Sequence, residues 1–218
     1  MREAYLDLFD QLLEHGTSSK VYRTSVEHAV SLWQRIAAPT TVDWGIAVVD
    51  TLLLRPVADS NARIGAVSAI LAKARDFDHR LNRRQRTEIE VLSSEAGLPT
   101  RPTPTATTSV DIVWNKLNGA VIGLYSLLPH AADALARRLA PLCSPKAVEG
   151  NDDTVSTPAL KNLATRSDYM IVDTSHATHA ATLAIDSVRS RDQQVLPQGR
   201  GVSAFVQALE RTLLTLEE

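Results

Sequence analysis

The stretch GLPTRPTPTATTS, Gly97 to Ser109, divides this chain of 218 residues. It holds three prolines and five threonines and has no periodicity from which a core could form. Proline lacks a backbone N–H and pushes its predecessor toward extended geometry, so the stretch reads as an extended linker. Whatever folds on one side must close its core without the other. The expected organisation is a helical domain over 1–98, a Pro/Thr-rich linker over 99–109 and an α/β domain over 110–218.

Before the linker, apolar residues recur at helical spacing. Tyr5, Leu8, Phe9, Leu12 and Leu13 form one set, and Val26, Ala29, Val30, Trp33 and Ile36 another. TVDWGIAVVDTLLL is apolar enough to be a central buried helix, with Thr41 or Asp43 as its cap. NARIGAVSAILAKARDFDHRL gives a longer helix, and RRQRTEIEVLSSEAG a last one closed by Gly97. About five helices of this kind make a small bundle.

After the linker the grammar changes. GAVIGLYSL, KAVEG, DYMIVDT and QQVLP are runs of strand length, and HAADALARRLAPL, TPALKNLATRS, HATHAATLAIDSVRS and GVSAFVQALERTLLTLEE are helical. Thr157 followed by Pro158 marks a helix start, and Ser175 and Ser203 read as caps of later helices. Alternating strand and helix is the pattern of a parallel sheet covered on both faces. The expected fold class is α/β: an N-terminal helical bundle followed by a small parallel-sheet domain of Rossmann-like or flavodoxin-like type. Right-handed crossovers would align the strand carboxyl ends on one edge, where such sheets bind ligands.

The loops leaving those ends carry the candidate ligand or partner residues. They are Ser126 beside Tyr125, Asp152 and Asp153 beside Asn151, then Thr174, Ser175, His176 and His179, and finally Gly199 and Gly201 around Arg200. His176 and His179 are spaced i, i+3, which on one helix puts them on one face. With Asp152 or Asp153 they could hold a divalent metal or serve an enzyme acting on a nucleotide or phosphoester. No HExxH or comparable ligand set accompanies them. The simpler reading is a helix capped by Ser175 with one histidine packed on the sheet, so no catalytic residue, metal or cofactor is assigned. Ser175 and His176 are adjacent, and side chains one apart diverge, which disfavours a nucleophile and base pair. The strand-to-helix elbow GxSxG is absent.

GLYSLLPHAA after the first strand matches neither the dinucleotide nor the P-loop glycine pattern. QGRGVS could take an anion on glycine N–H groups and a helix N-terminus, although a plain loop and cap is the simpler reading. Asp173 stands where response-regulator receivers carry their phosphoacceptor. The likeness stops there, because Tyr125 and Ser126 occupy the place of the magnesium-binding acids. Arg80, Arg83, Arg84 and Arg86 form the main basic cluster and could touch phosphates, but Glu88, Glu90 and Glu95 follow at once. A solvated helix face ranks ahead of nucleic-acid contact.

Hydrophobic residues make up 44% and charged residues 22%, with a formal net charge of -2, which disfavours an electrostatic nucleic-acid binder. Cys143 is the one cysteine, so internal disulfides and thiolate-rich zinc sites are excluded. No apolar run is long enough to span a bilayer, and the acidic, periodic N-terminus is unlike a signal peptide, so a cytoplasmic location is expected.

The region from Ser167 to Glu210 resembles the C-terminal half of an uncharacterised family of small bacterial Rossmann-like domains. Ser167-Asp168 before the strand, Ser175-His176 after it, Gly201-Val202-Ser203 before the last helix and GNDD as a polar turn carry the likeness. Leu124 and Tyr125 stand in place of that family's glycine pair. The resemblance implies a fold and no settled reaction.

The leading expectation is a non-catalytic regulatory or accessory module. Its helical domain would associate with a protein partner or a second copy, and its α/β domain would sense a small nucleotide-like ligand or dock a partner. Accessory proteins of bacterial multiprotein systems, including antiphage defence, are of this type. The rivals are a nucleotide or phosphoester enzyme at the His176/His179 loop, and a nucleic-acid-associated factor using Arg80 to Arg86.

Overall fold

The computed structural model describes residues 2–102 and 112–215. The chain divides into two compact units, residues 1–104 and 105–218. Most of the linker expected over 99–109 lies outside the described residues.

The first unit is a bundle of five helices: α1 (Arg2–Glu14), α2 (Ser19–Ile36), α3 (Val42–Leu54), α4 (Ser60–Arg75) and α5 (Arg83–Glu95). The apolar run of α3 is buried on nearly every side, as its sequence requires, with Ile46, Val48, Val49 and Leu52 fully covered. Gly45 on α3 is needed for close approach. A Cβ there would meet the Trp33 ring at 3.1 Å, and Trp33 spends its indole N–H on Ile70 O at 3.2 Å. Thr41 stands at the N-cap of α3 but does not cap it; its hydroxyl serves Ile36 O and Ala38 instead. Helix α5 closes as expected, with Gly97 at positive φ just past its end. The N–H groups of Gly97 and Leu98 return to Ser94 O and Ser93 O, which satisfies the last carbonyls.

Three buried or half-buried ion pairs cross the bundle. Arg55 forks onto Asp10 at 2.6 and 2.8 Å, Arg75 onto Glu90 at 3.0 and 3.1 Å, and Arg84, which also holds Glu88 of its own helix at 2.5 Å, reaches Asp43 at 2.8 Å. Removing one partner of such a pair leaves a desolvated charge, so each pair fixes the helices it joins.

Among the described residues of the second unit, a 3-10 turn over Val113–Leu117 precedes β1 (Val121–Tyr125), α6 (Ala131–Leu139), β2 (Ala147–Asn151), α7 (Pro158–Arg166), β3 (Tyr169–Val172), α8 (His179–Asp186), β4 (Gln194–Val195) and α9 (Val202–Thr215). The sheet is parallel throughout, in the order β2-β1-β3-β4. Tyr125 pairs with Asn151 on one side and Val172 on the other, so three strands end flush. Helix α6 packs with α9, and α7 with α8. The central strands are buried, as a sheet covered on both faces demands.

Gly123 marks the tightest point of this sheet. A Cβ at Gly123 would lie 2.3 Å from Ser167 Oγ and 2.8 Å from Met170 Sδ. Thr157 caps α7 as its sequence implies, accepting from Leu160 N at 3.1 Å ahead of Pro158. Its hydroxyl also donates to Asp153 Oδ2. Arg189 gathers the carbonyls of Ala164, Ser167 and Asp168, closing the end of α7 against the start of β3.

Two caps differ from expectation. Ser175 does not cap the helix after β3: that helix starts at His179 and Thr178 is its cap, accepting from Ala181 N. Ser203 lies inside α9 and is fully buried, so it is not the cap of the last helix.

Two outcomes follow. Gly123→Ala destabilises the α/β unit by about 1–3 kcal/mol in denaturant titration, and Gly123→Ala/Ser167→Gly recovers part of that loss because Ser167 supplies the nearest clashing atom. Thr157→Ala costs about 1 kcal/mol through the lost cap. It also flattens the acid limb of the stability curve. Hydrogen bonds from Thr157 first and Asn151 second hold Asp153 below the usual carboxylate range. That contribution is present above the unfolded-state value and is lost as pH falls through the depressed folded-state value.

Candidate functional site at the carboxyl edge of the sheet

The flush ends of β1 and β3 deliver Ser126 and Asp173 side by side. The Asp173 amide continues the ladder by donating to Tyr125 O at 2.9 Å. Its side chain, 1% exposed, then turns back across the edge. Oδ1 accepts the amides of Ser175 at 3.1 Å and His176 at 3.3 Å. Oδ2 accepts the Ser126 hydroxyl at 2.7 Å and Nδ1 of His176 at 3.0 Å. Ser126 Oγ in turn accepts from Leu128 N at 3.1 Å, and Leu127 N donates to His176 O at 3.0 Å. One carboxylate thus joins the loop after β1 to the loop after β3. A buried carboxylate demands donors, and this one has its roughly four acceptor positions filled.

The end of β2 forms a second knot. Asn151 donates from Nδ2 to Asp153 Oδ2 at 2.8 Å and accepts the Asp153 amide at 3.0 Å. The Tyr125 hydroxyl donates to Asp153 O at 3.1 Å, and Thr178 donates from its hydroxyl to Thr154 O at 2.7 Å. These bonds tie the β2 loop to β1 and to the start of α8.

The structure joins Ser126 and His176 through Asp173 and places Asp153 in the neighbouring knot. Thr174 and Ser175 are exposed on a 3-10 turn over Thr174–His176, whose cap is Asp173. His176 and His179 do not share a helix face. His176 closes the 3-10 turn, Ala177 is extended at φ -138, and His179 opens α8 as an exposed residue. Gly199 and Gly201 sit at φ +112 and +81 in the turn leading to α9, a backbone that glycine adopts without strain. The basic cluster is not one surface. Arg84 is 2% exposed and turned inward to Glu88 and Asp43, Arg86 donates to Leu81 O, Arg83 is half-buried and Arg80 is exposed.

Asp173, weighed in the sequence only as a receiver-like phosphoacceptor position, was not among the candidate ligand or partner residues, yet it is the centre of the network. The signal was Asp-Thr-Ser at the end of an apolar run, because an aspartate there can accept amides two and three residues on. Among the described residues no group of three or more His, Cys, Asp or Glu is placed to hold a metal ion.

Beside the Asp173 network lies a cleft of about 300 Å³ at the ends of β1 and β2. Ser126, His130, Asp133, Asn151 and Asp152 line it. His130 is the one non-glycine residue at positive φ among the described residues, at +57, and it stands at the N-cap of α6 without a side-chain cap bond. Gly150 permits the narrow wall: a Cβ there would meet that of Ala132 at 2.8 Å.

The chemistry of the network is that of a clamp. The Ser126 proton is committed to Asp173, so His176 is not its base. Nδ1 of His176 is committed to the same carboxylate oxygen, which fixes the imidazole in place.

No curated protein and no solved structure matches the chain. Among family models, one described as DpdD-like matches residues 1–208, spanning the helical unit and most of the α/β unit. The chain belongs to the DpdD-like family.

Proposed function

We propose that this chain is a non-catalytic, cytoplasmic accessory module of a bacterial DNA-modification system. The helical unit associates with a protein partner, and the α/β unit holds a small ligand at the carboxyl edge of its sheet. The observation that carries the reading is the saturated Asp173 carboxylate. A nucleophile and base pair needs a hydroxyl that hands its proton to an imidazole, whereas here hydroxyl and imidazole both donate to one buried acid. Membership of the DpdD-like family, which belongs to a bacterial DNA-modification (Dpd) system, supports the setting. A recess of about 450 Å³ between α2 and α4, with Val26, Val30, Ala62, Ala66 and Ala69 in its lining, supports association, since helix-in-groove contacts use such apolar floors.

One observation favours the enzymatic alternative. An imidazole oriented by a buried carboxylate, as His176 is by Asp173, is how many general bases are held. The two readings separate in a host carrying the modification system. Deleting this chain abolishes DNA modification. His176→Asn and His179→Ala, supplied on the full chain, restore modification to at least half of the wild-type level if the role is non-catalytic. A folded His176→Asn protein that restores none would overturn the accessory reading in favour of the enzyme.

A further inference from the structure

We infer that the cleft between the ends of β1 and β2 is a ribonucleoside site, in which Asp152 accepts the two ribose hydroxyls and phosphorylated forms are disfavoured. This rests on the reading that the α/β unit holds a small ligand, and it names the ligand's class.

Placement is the first support. In dinucleotide-binding parallel sheets an acid at the end of the second strand accepts from a ribose hydroxyl, and Asp152 holds the corresponding position here without the glycine turn of those sheets. Asp152 follows Asn151, the last residue of β2, and Asn151 is in register with Tyr125 at the end of β1. Two vicinal hydroxyls suit the two oxygens of one carboxylate.

The pattern of satisfied groups is the second support. Asn151 and Asp153 on either side of Asp152 are bound to each other. Ser126, also in the lining, is bound to Asp173. The side chains of His130, Asp133 and Asp152 line the same cleft, and no hydrogen bond or ion pair to another described residue engages them. Polar groups that the fold does not consume therefore gather at one concave place.

Size and charge narrow the class. A cleft of about 300 Å³ stands at the small end of ligand sites, enough for one nucleoside and too small for a dinucleotide. Leu128, Pro129 and Ala132 add apolar lining for a base. The lining holds two carboxylates and one imidazole, a balance that penalises a polyanion, and the loop after β1 has leucine, proline and histidine where a phosphate cradle needs glycine amides.

Calorimetry on the full chain tests this with adenosine, guanosine, cytidine and uridine, their 2′-deoxy counterparts and their 5′-triphosphates. At least one ribonucleoside binds at millimolar concentration or below. Removing the 2′-hydroxyl and introducing Asp152→Asn each weaken that binding about tenfold or more. The triphosphate binds no more tightly than the nucleoside, and Asp133→Asn narrows that gap. Asp152 is exposed and outside the clamp, so its variant keeps the fold. The inference fails if none of the four binds at millimolar concentration, if binding ignores both changes, or if the triphosphate binds more tightly. Such a failure leaves the accessory reading standing, because DNA modification with the histidine variants is measured independently.

Discussion

The carboxyl edge of the α/β unit depends on one buried acid. Asp173 is removed from water, and a carboxylate in that position is tolerated only where donors replace its hydration. The backbone supplies two of them through the turn that follows β3, and the side chains of Ser126 and His176 supply the others. Each donor constrains a different piece of chain. The turn at Thr174–His176 is fixed by the amides, the loop after β1 by Ser126, and the imidazole by its Nδ1. Local sequence, loop geometry and the shape of the neighbouring cleft are thereby linked through a single side chain.

The same principle runs through the helical unit in another form. Its charged residues are placed where removing either partner would strand a desolvated charge, as with Arg84 between Glu88 and Asp43 and Arg55 on Asp10. Such pairs add little net stability compared with apolar packing, but they hold α3 against α5 and α1 against the end of α3 in one arrangement. Because Arg84 serves in this way, the basic stretch between His79 and Arg86 is in part internal structure.

Much of the architecture was legible in the sequence because it rests on local rules. The apolar runs of β1 and β3, the Thr157-Pro158 start of α7 and the glycine at the end of α5 each act through neighbours in the chain. What was not legible depends on pairs far apart in sequence. Ser126 and Asp173 are 47 positions apart and meet only when β1 and β3 lie side by side. The two histidines read as one helix face because spacing is a local signal, while the break between them is set by the turn that Asp173 holds. Arg84 read as part of a basic surface for the same reason, since Asp43 reaches it from 41 positions away.

The central claim is that Asp173 pins the loop after β1, which borders the cleft, to the turn after β3. Amide hydrogen exchange in wild type and Asp173→Asn measures this directly. The expected result is a rise of about tenfold or more in exchange at Leu127, Leu128, Ser175 and His176, with protection retained within β1 and β3. Unchanged exchange at those four amides in a folded Asp173→Asn protein would contradict it.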